Sequence, residues 1–298
     1  MDFSQIPYNP LVEKIVEILM NKTQNKDANF FRLQTNFYLT LIPSMLNISV
    51  FSPITGKVPI NMYGFNLAKS GAGKGFSTTV LEKEVLRDFV NKFMHDVYPK
   101  FTSHTLALES INRAPALNCT PAEAEEKLKK EFKSYGAYNP FFDLASSPAV
   151  KQLRRKVLLG KLGSLNSIVD EIGLHFESNH EAFSTFLELF DKGLTKNKLT
   201  KNTNDNTRYQ EPEGESPANL LMFGTPSKLL DGGRTEDQFY MMLETGYARR
   251  CFFNISGSNS TLTEFTAEEL YKHLNNKNYQ QNQTHPTCLL YTSPSPRD

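Results

Sequence analysis

The chain has 298 residues, of which 39% are hydrophobic and 22% charged, and its formal net charge is +1. This composition is typical of a globular protein with one large core or two modest ones, and it excludes an overall electrostatic attraction to nucleic acids or membranes. No apolar run is long enough to span a bilayer, no secretory signal is recognisable, and three widely spaced cysteines favour a reducing, cytoplasmic compartment.

Two helices are predicted in an N-terminal helical segment, residues 1–47. The first begins at Asn9-Pro10 and ends near Asn21, and the second runs from Ala28 to about Leu46. The predicted apolar face of the first helix consists of Leu11, Ile15, Ile18 and Leu19. Residues 48–51 and 58–63 alternate around turn residues and predict a hairpin or an extended entry into the next strand.

A predicted strand, Met62 to Leu67, leads into the glycine-rich turn Ser70-Gly71-Ala72-Gly73, then Lys74 and a helical pattern. Glycines let backbone N–H groups face a phosphate, while the lysine and the helix N-terminus add positive charge. The pattern therefore predicts a polyphosphate-binding loop. The predicted nucleotide contacts are Ser70, Gly71, Ala72, Gly73, Lys74, Gly75, Phe76 and Ser77.

The loop departs from the P-loop pattern at both ends, because its first position is Ala68 and its last is Gly75. The hydroxyl that is missing at the last position normally ligates magnesium. Ser77 is the candidate substitute, with Thr78 and Thr79 as further hydroxyls. The alternative is a glycine-rich turn that binds no ligand.

The apolar run Leu165 to Val169 ends in Asp170 and Glu171. Buried strands end in this way when they deliver acids to a site at the carboxyl edge of a sheet. Asp170 is the predicted magnesium ligand, and Glu171 the predicted base that activates a water. A strand followed by a solvated turn is the alternative.

Two further strands complete the predicted site. The first, residues 219–223, ends at Gly224-Thr225-Pro226, where Thr225 is predicted to sense the γ-phosphate or to form a turn. The second begins after Arg249 and Arg250. Arginine suits a phosphoryl transition state, often from a neighbouring subunit, and a salt bridge at a strand edge is the alternative.

Basic residues in two places are candidates for binding nucleic acid. Lys192, Lys196, Lys198 and Lys201, together with Arg208, enter a polar segment at 197–214 that lacks periodicity. Such a loop suits a phosphate backbone, and a solvated loop is the alternative. A predicted helix from Ser147 to about Leu159 carries a weaker candidate patch. That patch consists of Arg154, Arg155 and Lys156.

With these blocks in this order, the chain resembles a P-loop ATPase domain of unknown function found in phage, prophage and mobile-element proteins beside primase or helicase modules. The resemblance covers roughly residues 28 to 260. Its motifs lie at 70–74, 147–153, 169–173, 186–191 and 246–250. The family's pattern of glycine, an aromatic, two variable residues and arginine ends at Arg250.

The resemblance implies an α/β fold with a RecA-like P-loop core of mostly parallel strands at 48–260. It also implies ATP and magnesium as cofactors, work on single-stranded DNA in a bacterial host, and a homo-oligomer such as a hexameric ring with Arg250 acting in trans. The predicted function is an ATP-driven replicative helicase. A nucleotide kinase and a nucleotide-dependent switch with little turnover are the alternatives.

The C-terminal residues are excluded from this functional argument. Residues 261–287 are predicted to form a helix and an Asn/Gln-rich tail, which is interpreted as the start of a truncated region. Residues 288–298 resemble a translated sequencing-adapter sequence, so we expect the natural sequence to diverge near Thr287.

Overall fold

The computed structural model describes residues 7–23, 25–54, 56–176, 180–195 and 214–256. Its centre is a parallel sheet of four strands. These are β3 (Tyr63–Leu67), β4 (Leu165–Val169), β5 (Ala218–Gly224) and β6 (Cys251–Ile255), in the order β4-β5-β3-β6. A separate antiparallel hairpin pairs β1 (Ser49–Ser52) with β2 (Gly56–Pro59). The predicted α/β class, with a mostly parallel sheet flanked by helices, is confirmed.

Helices connect and cover the strands. They are α1 (Pro10–Thr23), α2 (Ala28–Met45), α3 (Lys74–Val80), α4 (Arg87–Lys92), α5 (Tyr98–Arg113), α6 (Pro121–Ser134), α7 (Ser147–Gly160), α8 (His180–Lys192), α9 (Pro226–Leu229) and α10 (Arg234–Met242). Single π-helical turns join α3 to α4 and α4 to α5, and another follows α10. The sequence Thr120-Pro121-Ala122-Glu123 predicts a capping box with proline at the first helical position, and this box begins α6 with both of its hydrogen bonds formed. Helices α5, α8 and α10 are absent from the sequence predictions.

Strand β5, the most apolar strand of the sheet, is buried on both faces because its residues alternate between two cores. Leu221 and Phe223 pack on the face that α2 covers, whereas Leu220 and Met222 pack on the face that α8 and α10 cover. All seven residues of β5 are buried. A continuous apolar run is what an internal parallel strand requires.

Helix α2 lies unusually close to the strand that precedes the glycine-rich turn. A Cβ atom on Gly64 would come within 2.9 Å of the Leu33 side chain. The buried Asn66 amide donates a hydrogen bond of 2.8 Å to the Phe30 carbonyl. These contacts place the N-terminus of α2 beside the carboxyl end of β3, and therefore beside the predicted phosphate loop.

The apolar face predicted for α1 is wrong at two positions. Leu11 and Ile18 are 60% and 43% exposed, whereas Val12 and Val16 are buried beside Leu19. The sequence offers apolar residues on more than one side of this helix. Packing against α2 selects the valine side, which periodicity alone does not decide.

Several sequence predictions lie outside the described residues. These are the polar segment from 196 to 213, including Lys196, Lys198, Lys201 and Arg208, and the C-terminal predictions from 261 to 298. None of the helices in the described ranges combines the length and hydrophobicity that a membrane span requires.

A buried asparagine network joins the sheet to α2. The Asn219 amide group donates to Ser44 Oγ at 2.7 Å and to Asn166 Oδ1 at 2.8 Å. The side-chain carbonyl oxygen of Asn219 accepts a hydrogen bond of 2.8 Å from the Met62 backbone N–H. Because Asn219 is completely buried, its partners have no access to bulk water if the amide is removed.

We expect Asn219→Ala to lower the free energy of unfolding by about 2–4 kcal/mol, since it leaves the buried Met62 N–H without its acceptor and Ser44 Oγ without its amide donor. Urea denaturation followed by circular dichroism measures the change. The exposed Asn36 is the matched control, and Asn36→Ala should shift stability by less than about 0.5 kcal/mol. Equal stability of the two variants would contradict the network's role.

Candidate functional site

The glycine-rich turn from Ser70 to Gly73 joins β3 to α3 with its backbone in a left-handed conformation. The φ angles of Gly71 and Gly73 are +83° and +82°. Gly73 is the N-cap of α3 and provides no side-chain hydrogen bond, and the first turn contains no acidic residue. The N–H groups that open α3 therefore lack a side-chain acceptor, which is the arrangement that binds anions at a helix N-terminus.

Lys74 reaches across the end of β5 toward the acidic pair, which is Asp170 and Glu171. Its ammonium group donates a hydrogen bond to the Asp170 backbone carbonyl. It also lies 5.7 Å from the centroid of the Phe223 ring. The structure thus brings the predicted phosphate-binding lysine and the predicted magnesium ligand together.

Glu171 contacts the residue predicted to sense the γ-phosphate. Its carboxylate accepts a hydrogen bond of 3.0 Å from the Thr225 hydroxyl and one of 3.3 Å from the Thr225 backbone N–H. Thr225 is the N-cap of α9, so Glu171 supplies the acceptor that the start of this helix otherwise lacks. Thr225 therefore both forms the turn that begins α9 and contacts a member of the acidic pair.

Strand register explains why these residues meet. Val169 is opposite Met222, and Gly224 is opposite Leu67, so β4, β5 and β3 all end at one edge of the sheet. Because β5 lies between the other two, the loop after β3 and the acids after β4 are separated by about 10 Å, two strand spacings.

The Ser77 hydroxyl, the predicted substitute magnesium ligand, bonds to neighbouring residues and does not join this cluster directly. Ser77 is completely buried. Its hydroxyl lies 2.6 Å from Gln34 Oε1 and 2.9 Å from the Gly73 carbonyl oxygen. Gly75 is exposed, and a Cβ atom at this position would meet nothing within 4 Å. A serine therefore fits at position 75 without displacing a neighbour.

The described residues contain no cluster of three or more His, Cys, Asp or Glu side chains that suits a metal ion. A magnesium ion bound with a nucleotide does not need one, because it takes most of its oxygens from phosphates and water. The exposed Asp170 carboxylate supplies the kind of ligand that such an ion requires.

The π-helical turn that follows α3 is held against α2 by a polar contact as well as by apolar packing. The buried Tyr38 hydroxyl donates a 2.7 Å hydrogen bond to the Glu82 carboxylate. Burial raises the pKa of Tyr38 above its ordinary value, and the nearby Glu82 charge raises it further. Tyr38 therefore remains a neutral donor, and the segment after the loop is anchored at a fixed distance from α2.

The structure does not bring Arg250 to this cluster. Arg250 precedes β6, so it lies at the amino edge of the sheet, about 17 Å of strand away from the loop after β3. Its guanidinium forms a 2.8 Å ion pair with Asp191 at the end of α8. The neighbouring Arg249 is exposed and forms no ion pair with the described residues.

Among the described basic residues that are candidates for binding nucleic acid, one is exposed to solvent and two are buried in hydrogen bonds that stabilise the fold. Lys192, the last residue of α8, is exposed near Arg250 at the amino edge. Arg154 is 1% exposed and donates to the Gly214 carbonyl at 2.7 Å. Lys156 is 5% exposed and donates to the Phe132 carbonyl at 2.9 Å, and burial lowers its pKa. The weaker nucleic-acid patch on α7 is therefore wrong for Arg154 and Lys156.

Two residues from the N-terminal segment contact the glycine-rich turn, and the sequence analysis names neither. The Asn25 amide donates to the Ala72 carbonyl at 2.9 Å. Thr23 lies so close to the turn that a Cβ atom placed on Gly73 would be 2.8 Å from the Cβ atom of Thr23. Asn25 precedes a recognisable helix start, but no local signal relates it to a loop far along the chain.

Comparison with known proteins finds no matching family model, no similar curated protein and no similar solved structure. The interpretation of the site therefore depends on its own residues and geometry, together with the resemblance of its motifs.

We expect Gly73→Ala to destabilise the protein by about 1–3 kcal/mol, because a Cβ there both meets Thr23 and requires a left-handed backbone. Thermal and urea denaturation measure the change. Gly75→Ala is the matched control, since it places the same methyl group in open space at the start of a helix. The described geometry of the turn would be contradicted if Gly75→Ala were the more destabilising substitution.

Proposed function

We propose that this protein binds ATP with magnesium at the carboxyl edge of its parallel sheet and hydrolyses it, as a RecA-like P-loop ATPase. The observation that carries the proposal is the convergence of three strand ends on one point. Lys74 contacts the Asp170 carbonyl, and Glu171 contacts Thr225. Carboxyl edges of parallel sheets are where nucleotides bind in open α/β folds.

Each group has a role in this proposal. The N–H groups of the turn and Lys74 bind the β- and γ-phosphates, and Asp170 holds magnesium directly or through water. Glu171 orients and deprotonates the water that attacks the γ-phosphorus, while Thr225 positions Glu171 and senses the terminal phosphate. Magnesium supplies charge neutralisation of the phosphates when it is bound.

The proposed biological role is that of a DNA motor, such as a phage or prophage helicase working on single-stranded DNA in a bacterial cytoplasm. The resemblance of the motifs supports this role. Lys192 and the basic residues that follow it suit a phosphate backbone. Since the same segment starts at the amino edge of the sheet, DNA and ATP would bind at opposite ends of the strands.

A head-to-tail ring is the proposed assembly, because Arg250 lies at the opposite edge of the sheet and could reach such an ATP site only on another copy. Repeated contact between the amino edge of one copy and the carboxyl edge of the next is a heterologous interface, which forms a ring when the rotation between copies closes. Arg250 is the residue proposed to act in trans. The exposed neighbour Arg249 has the greater freedom to extend, because Arg250 is paired with Asp191.

A nucleotide-dependent switch with little turnover is the second candidate. The observation that favours it is the absence of a hydroxyl at Gly75 together with the complete burial of Ser77. Weak magnesium ligation would slow hydrolysis more than binding.

We expect the wild-type protein to hydrolyse ATP and single-stranded DNA to stimulate the rate. Lys74→Ala should abolish both binding and hydrolysis, because it removes the charge that meets the phosphates. Glu171→Gln should reduce kcat by about 100-fold or more while retaining ATP binding, since it removes only the base. A phosphate-release assay and equilibrium binding of a fluorescent ATP analogue measure the two properties.

ATP binding with no turnover and no effect of DNA would favour the switch. Transfer of the γ-phosphate to a nucleoside monophosphate would favour the kinase alternative. No binding of ATP by the wild-type protein would contradict all three functions.

We expect Gly75→Ser to strengthen magnesium-dependent ATP binding by about tenfold, because the new hydroxyl enters open space at the position where P-loops ligate the ion. Gly75→Ala is the control for the accompanying gain in helix propensity. Affinities measured over a magnesium titration separate the effects. An equal change in both variants, or one that persists without magnesium, would contradict ligation at this position.

A further inference from the structure

Asn25 is a buried polar residue that connects α1 and α2 to the glycine-rich turn. Its side chain is 1% exposed. Its amide nitrogen donates to the Ala72 carbonyl at 2.9 Å, and its amide oxygen accepts from the Asp27 backbone N–H at 2.9 Å. Both partners are backbone groups with fixed roles, so the orientation of the amide is determined.

The contact with Ala72 fixes the direction of one peptide unit in the turn. In a trans peptide the C=O of one residue and the N–H of the next point in opposite directions. Since the Ala72 carbonyl points toward Asn25, the Gly73 N–H points away from Asn25. The Gly73 N–H makes no hydrogen bond to the described residues.

The segment that carries Asn25 is itself fixed to the sheet. Asp27 caps α2 with one carboxylate oxygen and accepts a 2.6 Å hydrogen bond from the Ser256 hydroxyl with the other. Thr23, at the end of α1, lies against Gly73, and Asn25 bonds to Ala72. The two side chains therefore contact both residues that share the Ala72–Gly73 peptide.

We propose that Asn25 is a positioning residue for the phosphate site, holding the Gly73 N–H toward a bound polyphosphate without touching it. The proposal rests on the proposed function, because it names the residue that prepares the same loop for ATP. Without Asn25 the Ala72–Gly73 peptide is free to rotate, and a rotated peptide presents a carbonyl oxygen to the phosphate. An anion would be repelled by that oxygen, so affinity depends on the amide.

The decisive variant is Asn25→Asp, which retains the shape and the acceptor for the Asp27 N–H but replaces the donor to Ala72 with an oxygen. We expect its affinity for ATP to fall about tenfold or more, with inorganic triphosphate affected to the same extent because both share the phosphate contacts. Equilibrium binding to the full chain measures both ligands. Asn25→Ala is a second variant that lacks the added negative charge and should also bind less tightly.

A loss of affinity through general destabilisation is excluded by a matched control. Asn219→Ala removes a buried amide of the same kind that lies outside the phosphate loop, so it should lower the urea midpoint and leave ATP affinity unchanged. Selective glycine labelling with ¹⁵N gives a second readout. The Gly73 amide signal of the wild-type protein should shift when triphosphate is added, and this response should be lost in Asn25→Ala.

The outcomes separate this inference from the proposed function. If the wild-type protein binds no ATP, the proposed function fails and the inference falls with it. If the wild-type protein binds ATP, Lys74→Ala does not, and Asn25→Asp binds as tightly as wild type, the proposed function survives and the inference is overturned. An equal loss of affinity in Asn25→Asp and Asn219→Ala also overturns it, because the effect is then only structural.

Discussion

The common direction of the four strands is the constraint on which the rest of the molecule depends. Because every strand of the central sheet ends at the same edge, residues that follow β3, β4 and β5 meet although they are far apart in sequence. A parallel sheet needs helices on both faces, and the close approach of α2 to Gly64 provides one of them. The same approach delivers Asn25 and Thr23 to the back of the turn, so burial of the sheet and support of the loop have one structural cause.

The arrangement also separates the molecule into two chemically different edges. The carboxyl edge contains exposed backbone donors, Lys74 and the acidic pair, whereas the amino edge contains the Arg250–Asp191 ion pair and exposed basic side chains. The proposed DNA motor requires a nucleotide site and a polymer site that communicate. Strand β6 runs from one edge to the other, since Arg250 precedes it and Ser256, which bonds to Asp27, follows it.

The sequence predicted the parts of the fold that have local signals. The strand before the glycine-rich turn, the strand before Asp170 and the helix that begins at Thr120 all agree with the structure, because burial and capping leave clear patterns over a few residues. The strand order, the burial of Ser77 and the position of Arg250 depend on tertiary packing. Asn25 shows the limit most clearly, since its role requires a contact across 47 residues of chain that no local pattern encodes.

Buried Arg154 has a consequence for how the protein can be altered. Its guanidinium bonds to the Gly214 carbonyl, and the Ser216 N–H donates to the Gly193 carbonyl at 3.1 Å, so the two ends of the intervening segment are joined inside the fold. The free-energy cost of closing a loop between fixed ends rises only slowly with its length, by about 0.6 kcal/mol for each doubling of the number of residues. The segment between these ends is therefore an insertion point. Its length and charge can be changed, or a reporter domain introduced, while helix α8 before it and strand β5 after it keep their places.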